Sequence, residues 1–396
     1  MLRIKGKTGT AFMVEDTTTR PRRMWHDKIA IILTATIFGL TYGLSAPLIA
    51  LQLTEDGFSE AVIGFNAAMH ALGVLVIAPF LPAIVARFGT GGTALVALVA
   101  GAILLALFPA VPLIWLWFPL RLALGVVSES LFVVSETWLN QVTEEKTRAQ
   151  TMAMYSASLS LGFAAGPLIL VLAGSQGALP FLIGAAFALV AVVVLLMGKP
   201  RAQPFEHHGM MSLKVAWQLA PLAIVATALN SAMETAGLTL LPLYAMELGW
   251  QEKPATLLIT TLLAGAIILQ LPIGWLADRV DRRKMVLVLA ILSTAGAALW
   301  PVVLSLGWAA YVLLFLWGGV FVGIYTLMIT IIGSRCQGSQ LVALYAIMSV
   351  AWGLGALVGP PLGGVAMQLL PHGLPVYAAL SCLAFTLFVW KSKSPS

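Results

Sequence analysis

The amino-acid sequence predicts an all-α membrane protein of twelve transmembrane helices in two pseudo-symmetric six-helix bundles. Three observations predict it. The 396-residue chain is 60% hydrophobic and only 10% charged, against roughly 25% charged residues in soluble proteins. Its apolar residues fall into twelve long runs, and about 20 such residues suffice to cross a bilayer. Its basic residues alternate between successive loops, as they do when one side of the membrane retains them.

In chain order the runs are 28–50, 61–86, 91–109, 112–139, 148–173, 178–198, 214–244, 254–277, 284–304, 308–333, 339–369 and 373–391. They are too long for barrel strands and lack period-2 alternation, so each reads as a helix. Short loops make consecutive helices antiparallel neighbours. Residues 1–27 form a polar, basic tail expected in the cytoplasm. The first run lacks a small-x-small cleavage site and reads as a retained span, not a signal peptide. Runs one to six build an N-terminal bundle over 28–198. A cytoplasmic linker covers 199–213, a C-terminal bundle 214–391, and a short cytoplasmic tail 392–396. His207 and His208 in the linker read as solvated residues without a third metal ligand.

The charge pattern supports this count. Of the 22 Lys and Arg, only Lys253 falls in a loop after an odd-numbered run, and only Arg121 falls deep inside a run. Both termini are therefore expected in the cytoplasm, with the chain in the cytoplasmic membrane. The same rule accounts for the net charge of +6 without a nucleic-acid partner. Cys336 and Cys382 are too few for a disulfide framework.

A weak internal repeat relates the halves. Arg87-Phe88-Gly89 recurs as Arg279-Val280-Asp281, Gly162-x-x-x-Gly166-Pro167 as Gly355-x-x-x-Gly359-Pro360, and Pro47 as Pro242. Each copy lies about 190 residues on, the signature of duplicated six-helix units known among transporters.

The loop after the eighth run reads Gly274-Trp275-Leu276-Ala277-Asp278-Arg279-Val280-Asp281-Arg282-Arg283-Lys284. It resembles the signature loop of the major facilitator superfamily, G-x-L-A-D-R-x-G-R-R/K, with Asp281 where a glycine is usual. The equivalent loop after the second run has Ala86 in place of the aspartate, so a charge latch would reside in the second half, on Asp278, Arg279, Arg282 and Arg283. In the eleventh run Gly355-x-x-x-Gly359-Pro360-x-x-Gly363-Gly364 has the spacing of the superfamily's glycine-proline motif; the fifth run has only Gly162, Gly166 and Pro167. Small residues four apart permit either close helix packing or a moving hinge. Arg121-x-x-x-Gly125 resembles an element of the fourth span often linked to proton coupling. The nearest resemblance is to the YcaD-like branch, carried by 133–137 (VVSET), 269–279 and 341–360. This likeness implies a cavity lined by spans one, four, seven and ten.

The fourth run is the most informative stretch, since a charge at the bilayer centre costs ~2.5–3.5 kcal/mol on insertion scales. It holds Arg121, Glu129 and Glu136. The two glutamates are seven apart, so they share a helix face about 10 Å apart along the axis. Arg121 lies ~12 Å from Glu129 and is rotated by ~80°, so it needs a partner from another span or from water. Glu234 in the seventh run, one turn from Asn230 and next to Met233, is the expected partner across the halves. The pair is either a gate or a structural ion pair. In the second run, Asn66 and His70 are one turn apart. His70 is either a proton relay or substrate ligand, or a buried histidine with a backbone partner. Tyr42, Trp138 and Tyr325 are further candidates for the cavity wall.

These observations point to a secondary transporter of a small organic solute working by alternating access as a monomer, with the proton as coupling ion and no other cofactor. No G-x-x-x-x-G-K-[ST] loop marks direct use of ATP, and no nucleophile–base constellation marks an enzyme. Three acids against one arginine favour export of a cationic or amphipathic compound. Import of a small nutrient or siderophore-like solute is the alternative, and a non-transporting receptor or scaffold is the alternative of another class.

Overall fold

The computed structural model describes residues 20–143, 145–198, 212–277, 279–335 and 338–392. Apart from three short 3₁₀ turns, the regular structure among them is α-helix. The helices are α1 (Arg20–Glu55), α2 (Glu60–Ile77), α3 (Leu81–Leu107), α4 (Trp117–Val142), α5 (Glu145–Ala173), α6 (Leu179–Gly198), α7 (Leu213–Leu219), α8 (Pro221–Glu247), α9 (Glu252–Ile268), α10 (Gln270–Ala277), α11 (Arg282–Leu304), α12 (Trp308–Arg335), α13 (Gly338–Leu369) and α14 (Gly373–Lys391).

Among the described residues, 11 stretches are long and apolar enough to cross a membrane. One of them, Glu60–Ala110, has 51 residues, about 75 Å of helix against a hydrocarbon core of about 30 Å. It reverses at Gly89, whose φ of 73° and ψ of 164° suit a residue without a Cβ. It therefore supplies two crossings, which brings the total to twelve. Leu172, Met197 and Leu271 are about four-fifths exposed. In water such a surface would aggregate, but here it faces lipid.

Prolines divide three of the expected runs. In the second, the 3₁₀ turn Ala78–Phe80 interrupts the helix just before Leu81-Pro82. In the eighth, α9 ends at Ile268 and α10 begins at Gln270, just before Leu271-Pro272. A proline ring clashes with the carbonyl four residues earlier, here that of Ala78 or Ile268, so the repeat carries the break as well as the loop. The seventh crossing starts later than the run at 214 implies. Ala220 leaves helical geometry at φ −145°, ψ 52°, because Pro221 disfavours the α region for the residue before it. The short α7 is thereby split from α8, and its Trp217 ring packs on Phe388 of α14.

Close backbone approach holds each bundle together, as expected where lipid removes the hydrophobic drive between helices. A Cβ on Gly162 would strike the Thr36 carbonyl, and one on Gly166 the backbone of Gly43 and Leu44. Gly39 and Gly43 of α1 are seated just as tightly on Leu159 and Phe163 of α5. In the second bundle Gly355 and Gly359 of α13 lie against Ala228 and Ala232 of α8. At these positions the glycine motifs serve close packing within a bundle.

The bundles meet through α2 with α13, α5 with α9, and α1 with α8. Gly64 faces the backbone of Pro360 and Pro361, Gly364 faces the Glu60 carbonyl, and Gly353 faces the Leu75 side chain. These contacts run from one face of the molecule to about mid-depth. That face, here face A, carries the turns near residues 56–59, 174–178, 248–251 and 370–372. Hydrogen bonds tie its corners together: Gln52 donates to the carbonyls of Ser175 and Gly177, and Tyr244 Oη lies 2.9 Å from His372 Nδ1.

Candidate functional site

Arg121 is 2% exposed. Its Nη1 donates to Ser45 Oγ of α1 at 3.4 Å, and its Nε has no partner among the described residues. Two glycines bring α2 to it. A Cβ on Gly125 would strike the His70 carbonyl, and one on Gly73 the Leu122 carbonyl. The Arg121-x-x-x-Gly125 spacing thus has a local physical sense: the glycine lets α2 approach one turn below the charge, which brings His70 within electrostatic range of the guanidinium. His70 in turn stacks on Tyr42 with ring centroids 4.6 Å apart.

The expected Arg121–Glu234 ion pair is not formed. The guanidinium turns toward α1 and α2 within its own bundle, drawn by Ser45 and by the tight α2–α4 contact. Glu234 Oε2 instead accepts from Asn230 Nδ2, one turn away, at 3.5 Å. The Tyr42 hydroxyl lies within electrostatic range of both Arg121 and Glu234. Beside it, Tyr42, Ala46, Leu238 and Ile259 form a separate apolar cluster that seals α1 against α8 and α9.

Glu129 and Glu136 are half-buried on one face of α4, with Glu129 within electrostatic range of Glu136. Neither has an ion-pair partner among the described residues. Tyr325 of α12 lies within electrostatic range of both Glu234 and Glu136, and Tyr155 of α5 within range of Glu136 and Glu129. Tyr155 Oη also pairs with Ser135 Oγ at 3.0 Å. Carboxylates and phenols therefore alternate from α8 through α12 to α4 and α5.

Not every candidate joins this set. Trp138 is 1% exposed and its ring lies over Gly91 of α3, in the hydrophobic core and away from the bundle interface. Met233 is part of the same core. Asn66 is fully buried, with Nδ2 unpartnered among the described residues, as is His70 Nδ1; the backbone partner considered for that ring is not made through this nitrogen. Ser45, Tyr155, Gly39, Gly43 and Gly73 belong to the site or its supports but are not among the sequence candidates. Only Gly39-x-x-x-Gly43 has a readable small-residue spacing.

The glycine-proline stretch of α13 serves two partners. Gly355 and Gly359 face α8, and Gly363 faces the side chains of Leu240, Leu374 and Tyr377, all in the same bundle. Pro360 and Gly364 face α2 across the interface. Pro167 lies inside α5 without ending it.

In the loop before α11, Arg279 stacks on Trp275, 3.4 Å above the ring centroid. Asp281 caps α11 by accepting from the Lys284 backbone N–H at 2.8 Å, which explains an aspartate where glycine is usual. Arg283 Nη2 donates to the Val389 carbonyl and to Ser392 Oγ, tying α11 to the C-terminal end of α14, where a cation is favourable. Arg282 occupies the first turn of α11. Asp278, His207, His208 and Cys336 lie outside the described residues.

Comparison with known proteins agrees with this architecture. The family model described as Major Facilitator Superfamily matches residues 31–257 and 222–396. The chain is 28% identical over 379 residues to the MFS-type transporter YfkF of Bacillus subtilis (strain 168), covering 92% of this chain and 95% of that one. It is 26% identical over 373 residues to Multidrug resistance protein 1 of the same organism, covering 89% and 93%. The MFS-type transporter YcaD of Escherichia coli (strain SE11) matches at 24% over 335 residues, covering 81% and 84%. The YcaD-like placement is therefore narrower than the likeness found, which extends at least as strongly to YfkF. In fold, the chain superposes on the nucleoside transporter NupG with a TM-score of 0.72 at 15% identity, covering 94% of this chain and 100% of that one. It superposes on a D-xylose-proton symporter with a TM-score of 0.72 at 13% identity, covering 93% and 98%. With twelve crossings, two bundles and a family match over nearly its whole length, this chain belongs to the Major Facilitator Superfamily of membrane transporters.

Proposed function

We propose that the protein exports a cationic or amphipathic organic solute across the bacterial inner membrane, in exchange for protons, by alternating access. The observation that carries this reading is the set of half-buried carboxylates, Glu129, Glu136 and Glu234, without a basic partner among the described residues. A carboxylate at that depth is expensive as a bare anion and is relieved by a proton or by a cation. One site that takes either, but not both, is the minimal device for exchange. The name of a similar protein, Multidrug resistance protein 1, supports export of organic compounds. The loop charges support cytoplasmic termini, which would make face A the outer face and the described conformation one closed to the outside.

The test is transport in proteoliposomes under an imposed pH gradient, with ethidium and tetraphenylphosphonium as probes. The reading expects accumulation that follows the gradient and is lost in Glu234→Gln and reduced in Glu129→Gln and Glu136→Gln. Transport indifferent to the gradient would refute the coupling. Absence of any transport, together with tight capture of a partner protein, would favour a scaffold.

A further inference from the structure

Three buried polar nitrogens on the N-terminal bundle have no hydrogen-bond partner among the described residues: Arg121 Nε, Asn66 Nδ2 and His70 Nδ1. Asn66 and His70 are one turn apart on α2 and share a face, and the Gly125 contact seats the His70 backbone one turn from Arg121, within electrostatic range of it. Arginine has five N–H donors and no acceptor capacity. Its bond to the Ser45 hydroxyl at 3.4 Å is a weak use of a fully buried guanidinium. Across the interface, α8 presents the opposite polarity. Asn230 Oδ1 is a buried acceptor without a donor, one turn from the Glu234 carboxylate. Unpartnered nitrogens therefore lie on α2 and α4, and acceptor oxygens on α8.

We propose that Arg121, His70 and Asn66 form a subsite for a compact anionic acceptor, such as a carboxylate, on the transported solute. The solute is then amphoteric, with its acceptor toward α2 and α4 and its basic or donor group toward Asn230 and Glu234. The guanidinium fork matches a carboxylate in two hydrogen bonds, and a buried polar group left unpaired is costly. An amphoteric solute would satisfy both walls at once, whereas a simple cation would satisfy only α8. This assignment rests on the transport reading above but not on its proton coupling.

The experiment uses the full chain in nanodiscs and two matched pairs: rhodamine 110, which has a free carboxylate, against its methyl ester rhodamine 123, and phenylalanine against phenylalanine methyl ester. Binding of the dyes is read by fluorescence polarisation and of the amino acids by thermal shift. The free acid is expected to bind at least about tenfold more tightly than the ester, the scale of a charge-assisted hydrogen bond. Arg121→Gln should remove that preference, bringing acid and ester to the same affinity, and Asn66→Ala and His70→Ala should weaken it in the same direction. If Arg121→Gln does not fold, the two α2 variants carry the test. Equal binding of acid and ester, no binding of either acid, or a preference that survives the variants would overturn the proposal. Gradient-independent transport in the proteoliposome assay, with the acid preference intact here, would instead refute the coupling alone.

Discussion

The Tyr42 ring of α1 lies 4.6 Å from the His70 ring of α2, centroid to centroid, at an interplanar angle of 55°. Tyr42 also meets Phe163 of α5 edge-on at 5.5 Å. Its hydroxyl, within range of both Arg121 and Glu234, stands where the sequence leads one to expect a direct ion pair between the bundles. The phenol thus lies within electrostatic range of the cation of one bundle and the carboxylate of the other.

Tyr42→Phe separates the ring from the hydroxyl. Both ring contacts survive, so thermal stability should change by less than about 1 kcal/mol. Transport should fall at least about tenfold if the hydroxyl links the charges. Tyr42→Leu should lose both, with a lower melting temperature, because aromatic pairs contribute about 0.5–1.5 kcal/mol beyond burial. Thermal denaturation and proteoliposome flux on the same preparations check this.

Gly125 is required by approach and not by backbone conformation. Gly125→Ala places a methyl against the His70 carbonyl, and overpacking of this kind costs about 1–3 kcal/mol. Gly237 of α8 has open space where its Cβ would be, so Gly237→Ala should be neutral or stabilising by up to about 1 kcal/mol. A melting comparison of the two variants decides it.

The two partners of the α13 motif predict two different phenotypes. Gly364→Leu intrudes on α2 across the bundles, and should open the face-A side of the site without unfolding the chain. Gly355→Leu intrudes on α8 within one bundle, and should lower stability instead. A cysteine at Ser45, probed with an impermeant thiol reagent from each side, reads the first effect. A thermal melt reads the second.

Asp281 departs from the family loop yet supplies the cap of α11. Asp281→Ala should destabilise by about 0.5–2 kcal/mol, and Asp281→Gly, the usual residue there, by only a few tenths. Thermal melts of both variants beside Asp281→Asn, which keeps an accepting oxygen, test this ordering.

The crossings are legible in the sequence because the length of an apolar run is local information, and the bilayer sets the threshold. Arg121, Glu129, Glu136 and Glu234 are legible because a charge at that depth is conspicuous. Which way those side chains turn is not. Arg121 follows Ser45 and the α2–α4 contact, set by residues from two other helices. Trp138 and Met233 read as cavity residues in the sequence; in the structure both are buried among apolar side chains. Core, lipid face and cavity wall of a membrane protein are all apolar, so hydropathy does not distinguish them. The breaks at Ala78 and Ile268 have a local signal in Pro82 and Pro272, four residues on.

Proton movement driven by solute alone tests the central claim most directly. Proteoliposomes containing the full chain and a trapped pH-sensitive dye, with no imposed pH gradient, would receive a pulse of a transported cation. The account predicts a luminal pH change in proportion to solute flux, abolished by a proton ionophore and absent in Glu234→Gln. Solute entry at an undiminished rate with no luminal pH change would contradict it.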